Sequence, residues 1–286
     1  MLVAVAAEEP RGEAIMDCAE RKSGHLMLIT PERVFYAGLL GRPRQRCSGA
    51  FHIYVAIEGG LSLTAECRES QSELLAVPPD IRHTISSQHR SVICVTIEPE
   101  SVRDGVLDAL AERLSGPERS GFARRIRQAY AGLLRRGCRD DIGCDEFDAM
   151  CFGEALPLRM VDPRVARAIA QIGRFSGEPV TAASCAAEVG LSASRFLHLF
   201  KQETGISFRA FRAWKRARHL LHFANQDVNL AHLAQDIGYP DSTHFSHSIR
   251  RFYGLKPRTI FSGSRDLAIY RSGRDSTGSA WTQEAG

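Results

Sequence analysis

The amino-acid sequence predicts an α+β protein. An N-terminal antiparallel β-barrel or sandwich is followed by a helical pair, then by an all-α domain of two helix-turn-helix units joined by a linker helix. Three observations predict this. A short pattern occurs twice, as AlaAlaGluValGlyLeu at 186–191 and AlaGlnAspIleGlyTyr at 234–239. Six short β-rich runs crowd into residues 25–98, and beyond Pro99 the apolar period becomes helical. The charge is also unevenly placed: residues 161–260 hold 14 Lys and Arg against 7 Asp and Glu, whereas residues 1–160 hold 20 against 23. A length of 286 residues suits about two domains.

The β-rich runs are 26–29, 34–40, 51–57, 61–65, 73–77 and 91–97, several alternating with period two. Glu58-Gly59-Gly60 predicts a tight hairpin and Pro78-Pro79-Asp80 another turn. Many short strands in so few residues point to a small barrel or sandwich. From Val102 to Leu114 and from Phe122 to Leu134 the spacing is helical, with Ile126, Tyr130, Leu133 and Leu134 on one stripe. That pair is either a dimer seam or a cover for its own barrel. Arg124, Arg125, Arg127, Arg135 and Arg136 around it read as a solvated face, with anion binding as the alternative.

Residues 137–160 read as a linker with some helix. Eight Cys include no CxxC pair, which predicts reduced thiols, although Cys138, Cys144 and Cys151 lie beside Asp140, Asp141 and Asp145 and leave a metal or redox site open. The Ser- and Gly-rich residues 263–286 read as a disordered tail. No run of about 18 apolar residues exists, and the N-terminus lacks the basic region of a signal peptide. The expectation is a cytoplasmic protein with no membrane partner.

In the basic segment, Asp162-Pro163 opens a helix, and Thr181 caps a second that ends near Val189. Gly190 and Gly238 supply the left-handed turn, and Ser192 and Asp241 cap the helices that follow. The two copies superimpose with an offset of 48 up to the glycine and 49 beyond it, so Phe196 matches Phe245 and Gly205 matches Gly254. Between the copies, residues 207–223 predict a linker helix with Phe208, Phe211, Trp214, Ala217, Leu220 and Leu221 on its apolar face. Arg209, Arg212, Lys215, Arg216 and Arg218 occupy the remainder. Such a helix can hold two motifs about one DNA turn apart, near 34 Å.

With these residues in place, residues 162–262 resemble the DNA-binding domain of the AraC/XylS family of transcription regulators. The resemblance rests on the stretch AspIleGlyTyrProAspSerThrHisPheSerHisSerIleArgArgPheTyrGlyLeuLysPro (236–257), and on GlyLeuSerAlaSerArgPheLeuHisLeuPheLysGlnGluThrGlyIleSer (190–207). It implies base-facing positions at Ser194, Arg195 and His198 in the first recognition helix and at Ser242, Thr243 and His247 in the second. It implies phosphate contacts at Lys201, Arg250, Arg251 and Lys256. Leu197 departs from the pattern, standing where a polar reader is common. With one Arg among small hydroxyls and His, specificity leans on DNA shape as well as on base edges.

The run HisIleTyrValAlaIleGluGlyGly (52–60) and the later ValProProAspIleArgHisThr (77–84) resemble, less specifically, the cupin-like sensor domain that family members often carry. The implied organisation is a sensor and dimerisation domain at 1–136, a linker at 137–160, the double helix-turn-helix domain at 161–262 and the tail at 263–286. A small-molecule effector would be lined by Phe35, Tyr36, His52, Tyr54, Arg82 and His83. His52 and His83 are candidate remnants of cupin metal ligands, but Glu58 stands six residues from His52 and no metal or other cofactor is expected. The expected function is a DNA-binding regulator, an activator by family resemblance, that forms a homodimer and meets RNA polymerase on promoter DNA. Two alternatives stay open. One is a cupin-type metalloenzyme with a DNA-binding appendage; the other is a ligand-free regulator controlled by a partner or by thiol oxidation. The absence of a Ser/His/Asp order, a P-loop or a Rossmann glycine fingerprint argues against an enzyme.

Overall fold

A computed structural model of the chain describes residues 24–136, 142–174 and 180–271. The N-terminal strands are β1 (Leu26–Ile29), β2 (Arg33–Leu39), β3 (Phe51–Ala56), β4 (Leu61–Ala65), β5 (Arg68–Ser72), β6 (Leu74–Val77), β7 (His83–Ser87) and β8 (Ser91–Ile97). After a 3-10 turn at Pro99–Ser101 come helices α1 (Val106–Ser115), α2 (Arg119–Arg136) and α3 (Cys144–Phe152). The C-terminal helices are α4 (Pro163–Gly173), α5 (Ala182–Glu188), α6 (Ala193–Thr204), α7 (Phe208–His219), α8 (Leu230–Asp236), α9 (Ser242–Tyr253) and α10 (Pro257–Gly263). A last strand, β9 (Ala268–Arg271), closes the described chain. Among the described residues no helix is long and apolar enough to cross a membrane.

The strands form an open six-stranded sheet, ordered β6-β3-β8-β2-β1-β9, and a separate three-stranded sheet, β5-β4-β7. The expected cupin-like barrel is therefore corrected to two facing sheets that do not close. The predicted hairpin at Glu58-Gly59-Gly60 is also different: it links β3 of one sheet to β4 of the other, so it turns a corner rather than pairing two neighbours. Gly59 holds φ +68 there, a conformation that suits glycine.

Period-two alternation in β3 decides what each face does. Phe51, Ile53 and Val55 join Phe35, Ile93, Val95 and Ile97 in the core under α1, α2 and α3, whereas Tyr54 and Ala56 face Leu61, Leu63 and Ile85 of the small sheet. The α2 stripe buries Phe122, Ala123, Ile126 and Leu133 on its own sheet, leaving Leu134 exposed. The segment read as a linker contributes α3, whose Phe147, Cys151 and Phe152 complete this core. It is clamped by a wholly buried ion pair in which Arg33 donates from Nε and Nη2 to Asp148 at 2.8 and 2.9 Å. Cys138 lies outside the described residues.

The C-terminal domain docks on the remaining face of the large sheet, where Met27, Ile29 and Val34 meet Ala224 and Leu267. Here the disordered-tail expectation is corrected at its first residues. Residues 268–271 form β9, parallel to β1 in the register Leu26 to Ala268 through Ile29 to Arg271. The chain that leaves the C-terminal helices thus returns to the N-terminal sheet as its edge strand.

Candidate nucleic-acid interface

Each helix-turn-helix is set by the same backbone device. Gly190 and Gly238 hold φ +66 and +80. Beyond them Leu191 N donates to Ala186 O at 2.9 Å and Tyr239 N to Ala234 O at 2.8 Å, the long bond of a Schellman ending. The following helices start on side-chain caps. Ser192 Oγ accepts from Arg195 N at 3.4 Å, and Asp241 Oδ1 accepts from the backbone N–H groups of Thr243 and His244, both at 2.8 Å. These bonds to the ionised form, the His244 backbone N–H first and its ring next, hold the Asp241 carboxyl below its usual range.

Behind each recognition helix stands an aromatic core. In the first unit Phe200 lies 5.9 Å from Phe196, 5.1 Å from Phe208 and 5.2 Å from Phe211, ring centre to ring centre. In the second, Tyr239 meets Phe245 at 5.3 Å and Trp214 meets Phe252 at 5.4 Å. Burial of Phe196, Phe200, Phe245, Ile249 and Phe252 turns the opposite helix faces outward. Ser194, Arg195, His198 and Lys201 are exposed on α6, as are Ser242, Thr243, His247, Arg250 and Arg251 on α9, with Lys256 just beyond. Leu197 stands 41% exposed among the first set, an apolar contact such as a thymine methyl could use. His244, the positional counterpart of Arg195, is also exposed but is tied to Asp241 by a 2.7 Å contact. The duplicated register marks that position, although the family pattern did not lead to it.

The linker helix is less of a free basic face than its sequence implies. Lys215 and Arg218 turn into the N-terminal domain, where Glu98, fully buried at the end of β8, receives them. Lys215 Nζ lies 2.7 Å and Arg218 Nε 2.9 Å from its carboxylate, and Trp214 Nε1 donates to both oxygens at 3.0 and 3.1 Å. Burial alone would raise the pKa of Glu98, but Lys215 and then Arg218 overcome it and hold the carboxyl below its usual range. Arg212 and Arg216 are half-buried, stacked over Phe208 and Tyr239 at 5.7 and 5.9 Å. Glu98 has no signal in the sequence, because its partners are more than a hundred residues away.

Of the six candidate effector-lining residues, three come together. His52, Tyr54 and His83 lie between the two sheets with ring centres 5.7 to 6.4 Å apart. Tyr36 points to the same side of the sheet, but its hydroxyl donates to Leu39 O at 2.8 Å. Phe35 points the other way, edge-on to Phe147 in the helical core, and Arg82 is exposed. Burial lowers His83 to about 4 and His52 to about 3, with Arg46 adding to both, so both rings are neutral at neutral pH. His83 Nδ1 donates to Ile81 O at 2.9 Å, which leaves Nε2 to accept from the Tyr54 hydroxyl at 3.0 Å. His52 is held by Ser48 through Nε2 and by Thr96 through Nδ1, the latter at 3.1 Å. A metal would have to displace protein partners at every one of these nitrogens. Arg46, whose guanidinium reaches Tyr54, was not singled out by the sequence. Its Nε and Nη2 are buried without a hydrogen-bond partner among the described residues.

Of the suggested redox cluster, Cys144 and Cys151 are held in the protonated thiol form. Burial, with Glu32 nearby, pushes Cys144 up to about 12, and burial raises Cys151 further. Cys144 Sγ donates to Glu32 at 2.9 Å.

Residues 185–262 match a family described as a helix-turn-helix domain. Over 111 residues the chain is 33% identical to the HTH-type transcriptional activator RhaS of Escherichia fergusonii, covering 38% of this chain and 39% of that protein. The chain thus spans about two fifths of the curated relative it matches. Among solved structures, ToxT from Vibrio cholerae O395 aligns with 82% of this chain and 98% of its own at TM-score 0.50 and 10% identity. That likeness extends over both halves of the chain and concerns the fold. A transcriptional regulator with an AraC-type DNA-binding domain from Chromobacterium violaceum aligns with 36% of this chain and 92% of its own, at 22% identity and TM-score 0.33.

Proposed function

We propose that this chain, a member of the AraC/XylS family through the double helix-turn-helix domain matched over residues 185–262, is a sequence-specific activator of transcription working on promoter DNA in the cytoplasm. The observation that carries this reading is the pair of outward faces on α6 and α9, set in register by the same glycine turn. Ser194, Arg195 and His198, with Ser242, Thr243 and His247, would meet base edges, and Lys201, Arg250, Arg251 and Lys256 would meet phosphates. The N-terminal domain would bind a small-molecule effector and pair two copies, bringing RNA polymerase to the promoter. The two buried guanidinium nitrogens of Arg46 beside Tyr54 and His52 favour an effector that carries acceptor oxygens. Such a ligand changes DNA binding only if it prefers one placement of the two domains over another.

Selection of bound sites from random duplex DNA by the full chain, at one stated low salt concentration, tests the reading. Two enriched segments about one helical turn apart, near 34 Å, are expected, and paired copies of that motif if the protein dimerises. Failure to enrich any sequence would refute it.

A further inference from the structure

We propose that the N-terminal domain itself contributes to the DNA contact, through Arg42 and Arg44 on the loop at residues 41–47, which would grip the phosphate backbone beside the second recognition helix. This rests on the reading of α9 as a DNA-facing helix. Thr243, His247, Arg250 and Gly254 succeed one another at spacings of four, three and four, so they form one stripe along α9 and its cap. The first three are exposed side chains. At the fourth the helix ends in a glycine at φ +68, and a side chain is missing where the stripe would continue.

The N-terminal domain occupies that place. A Cβ on Gly254 would stand 3.1 Å from Arg44 O, 3.4 Å from Arg44 Cβ and 3.5 Å from Arg46 Nε. The loop is pinned on both sides. Cys47 N donates to Arg251 O at 2.8 Å, while Arg46 and His83 exchange backbone hydrogen bonds at 2.8 and 3.0 Å. Arg44 therefore sits about one helical turn, roughly 6 Å, beyond Arg250 on the same stripe. Arg42 and Arg44 are exposed, and among the described residues no carboxylate pairs with either. The stretch GlyArgProArgGlnArgCys holds three Arg and no acid inside a half of the chain whose net charge is −3. An isolated basic loop of this kind, held rigidly at the end of a DNA-facing stripe, fits a phosphate partner and reads no base.

The test uses the full chain carrying R42A and R44A together, titrated with its selected site and with an unrelated duplex over a range of salt. Removing one phosphate-binding charge should flatten the slope of log affinity against log salt by about 0.9, so a reduction of up to about 1.8 is expected on both duplexes, with base preference unchanged. The charge-keeping pair R42K and R44K should retain the wild-type slope. Phosphate ethylation should interfere with wild-type binding at the outer edge of the second subsite, and that interference should vanish in the alanine pair. An unchanged slope in the alanine pair, while R250A flattens it in the same assay, would overturn the proposal and leave the helix assignment standing. Should R250A also change nothing, the DNA-facing assignment of α9 itself would fall. Equal loss with the lysine pair would show that the loop acts through its shape and would likewise overturn the charge contact.

Discussion

The two helix-turn-helix units share a backbone plan and differ in what surrounds it. The first unit's core is built from residues 165–211 alone, whereas the second enlists Ala50 of the N-terminal domain, and its Trp214 bonds to Glu98. The glycines show the same contrast. A Cβ at Gly190 or Gly205 would meet nothing within 4 Å, but at Gly238 it would meet the Arg216 guanidinium at 3.5 Å and at Gly254 the Arg44 carbonyl at 3.1 Å. A duplicated motif has thus been kept for its local geometry in both places, and in one its core is shared with the N-terminal half. The first unit meets that half where α6 touches the turn at Pro99–Ser101, so the second is the one whose core an event in the N-terminal domain reaches.

The strongest way to break that asymmetry is to remove Glu98. Glu98→Ala leaves Lys215, Arg218 and the Trp214 N–H buried without their shared carboxylate, a loss of about 3–5 kcal/mol by the usual cost of orphaning one side of a buried pair. Glu100 lies 2.5 Å from Lys215 and limits the loss there. Hydrogen exchange should accelerate in α8 and α9 much more than in α5 and α6. Equal acceleration in both units would mean that the N-terminal domain supports them alike.

Acid should act on the same side. His52, His83, His219 and His222 are all lowered, chiefly by burial, to about 3, 4, 4 and 3 from an ordinary 6.5. Above pH 6.5 the folded and unfolded chains bind the same protons at these sites and no stability is lost. Below it the unfolded chain takes up protons that the folded chain refuses, so stability falls as pH drops from 6.5 towards 4, by at most about 1.4 kcal/mol per pH unit for each His. His52 and His83 lie in the N-terminal domain, His219 ends the linker helix, and the carbonyl of His222 accepts from Arg271 of β9. Denaturant midpoints at pH 7.5 and 5.5 should therefore differ, and His52→Gln should reduce the difference. A variant that keeps the full pH dependence would show that His52 already titrates normally.

The second unit's legibility in the sequence explains why its coupling was invisible there. Glycine turns, Ser and Asp caps and the Phe spacing are local, so Gly190, Asp241 and Phe245 could be placed from neighbours three or four residues away. The strand runs were found where one face carried several apolar residues. They were missed at β5, where ArgGluSerGlnSer is polar on both faces, at β7, where HisThrIleSerSer holds a single aliphatic side chain, and at β9, hidden in a Ser- and Gly-rich tail. The split into two unclosed sheets, the Glu98 hub and the return of β9 to β1 depend on pairings between residues up to about 240 positions apart, which no window of sequence records. The effector set failed at Phe35 because period two sends it to the face opposite Tyr36, and the set took both. Arg46 went unnoticed because nothing in a basic loop marks which guanidinium will have its nitrogens buried.

Smaller effects sharpen the comparison at the glycines. Gly205→Ala and Gly254→Ala both place a Cβ at positive φ, a strain of about 1–2 kcal/mol. Only the second also presses on Arg44 O, so Gly254→Ala should cost more in stability than Gly205→Ala, and the excess should disappear if the loop at 41–47 is free to move. Matching losses from thermal melts of the two variants would place that loop away from the helix end.

The smallest expected effect lies on the reading faces, where the two units should again differ. Ser194 and Thr243 are equivalent positions, both exposed at the start of their helices. Thr243 adds a methyl group beside its hydroxyl, so it can contact a thymine methyl as well as a hydrogen-bonding edge, whereas Ser194 has the hydroxyl alone. Thr243→Ala should shift preference at one base pair by about 1 kcal/mol and Ser194→Ala by less, measured as relative affinities over single-base variants of the selected site. Neither change removes a charge, so the salt dependence should stay as it is in both. If Thr243→Ala instead weakens all sequences equally, the residue serves the backbone and the base reading of α9 passes to Ser242, His247 or His244, the last of these only after giving up its contact with Asp241.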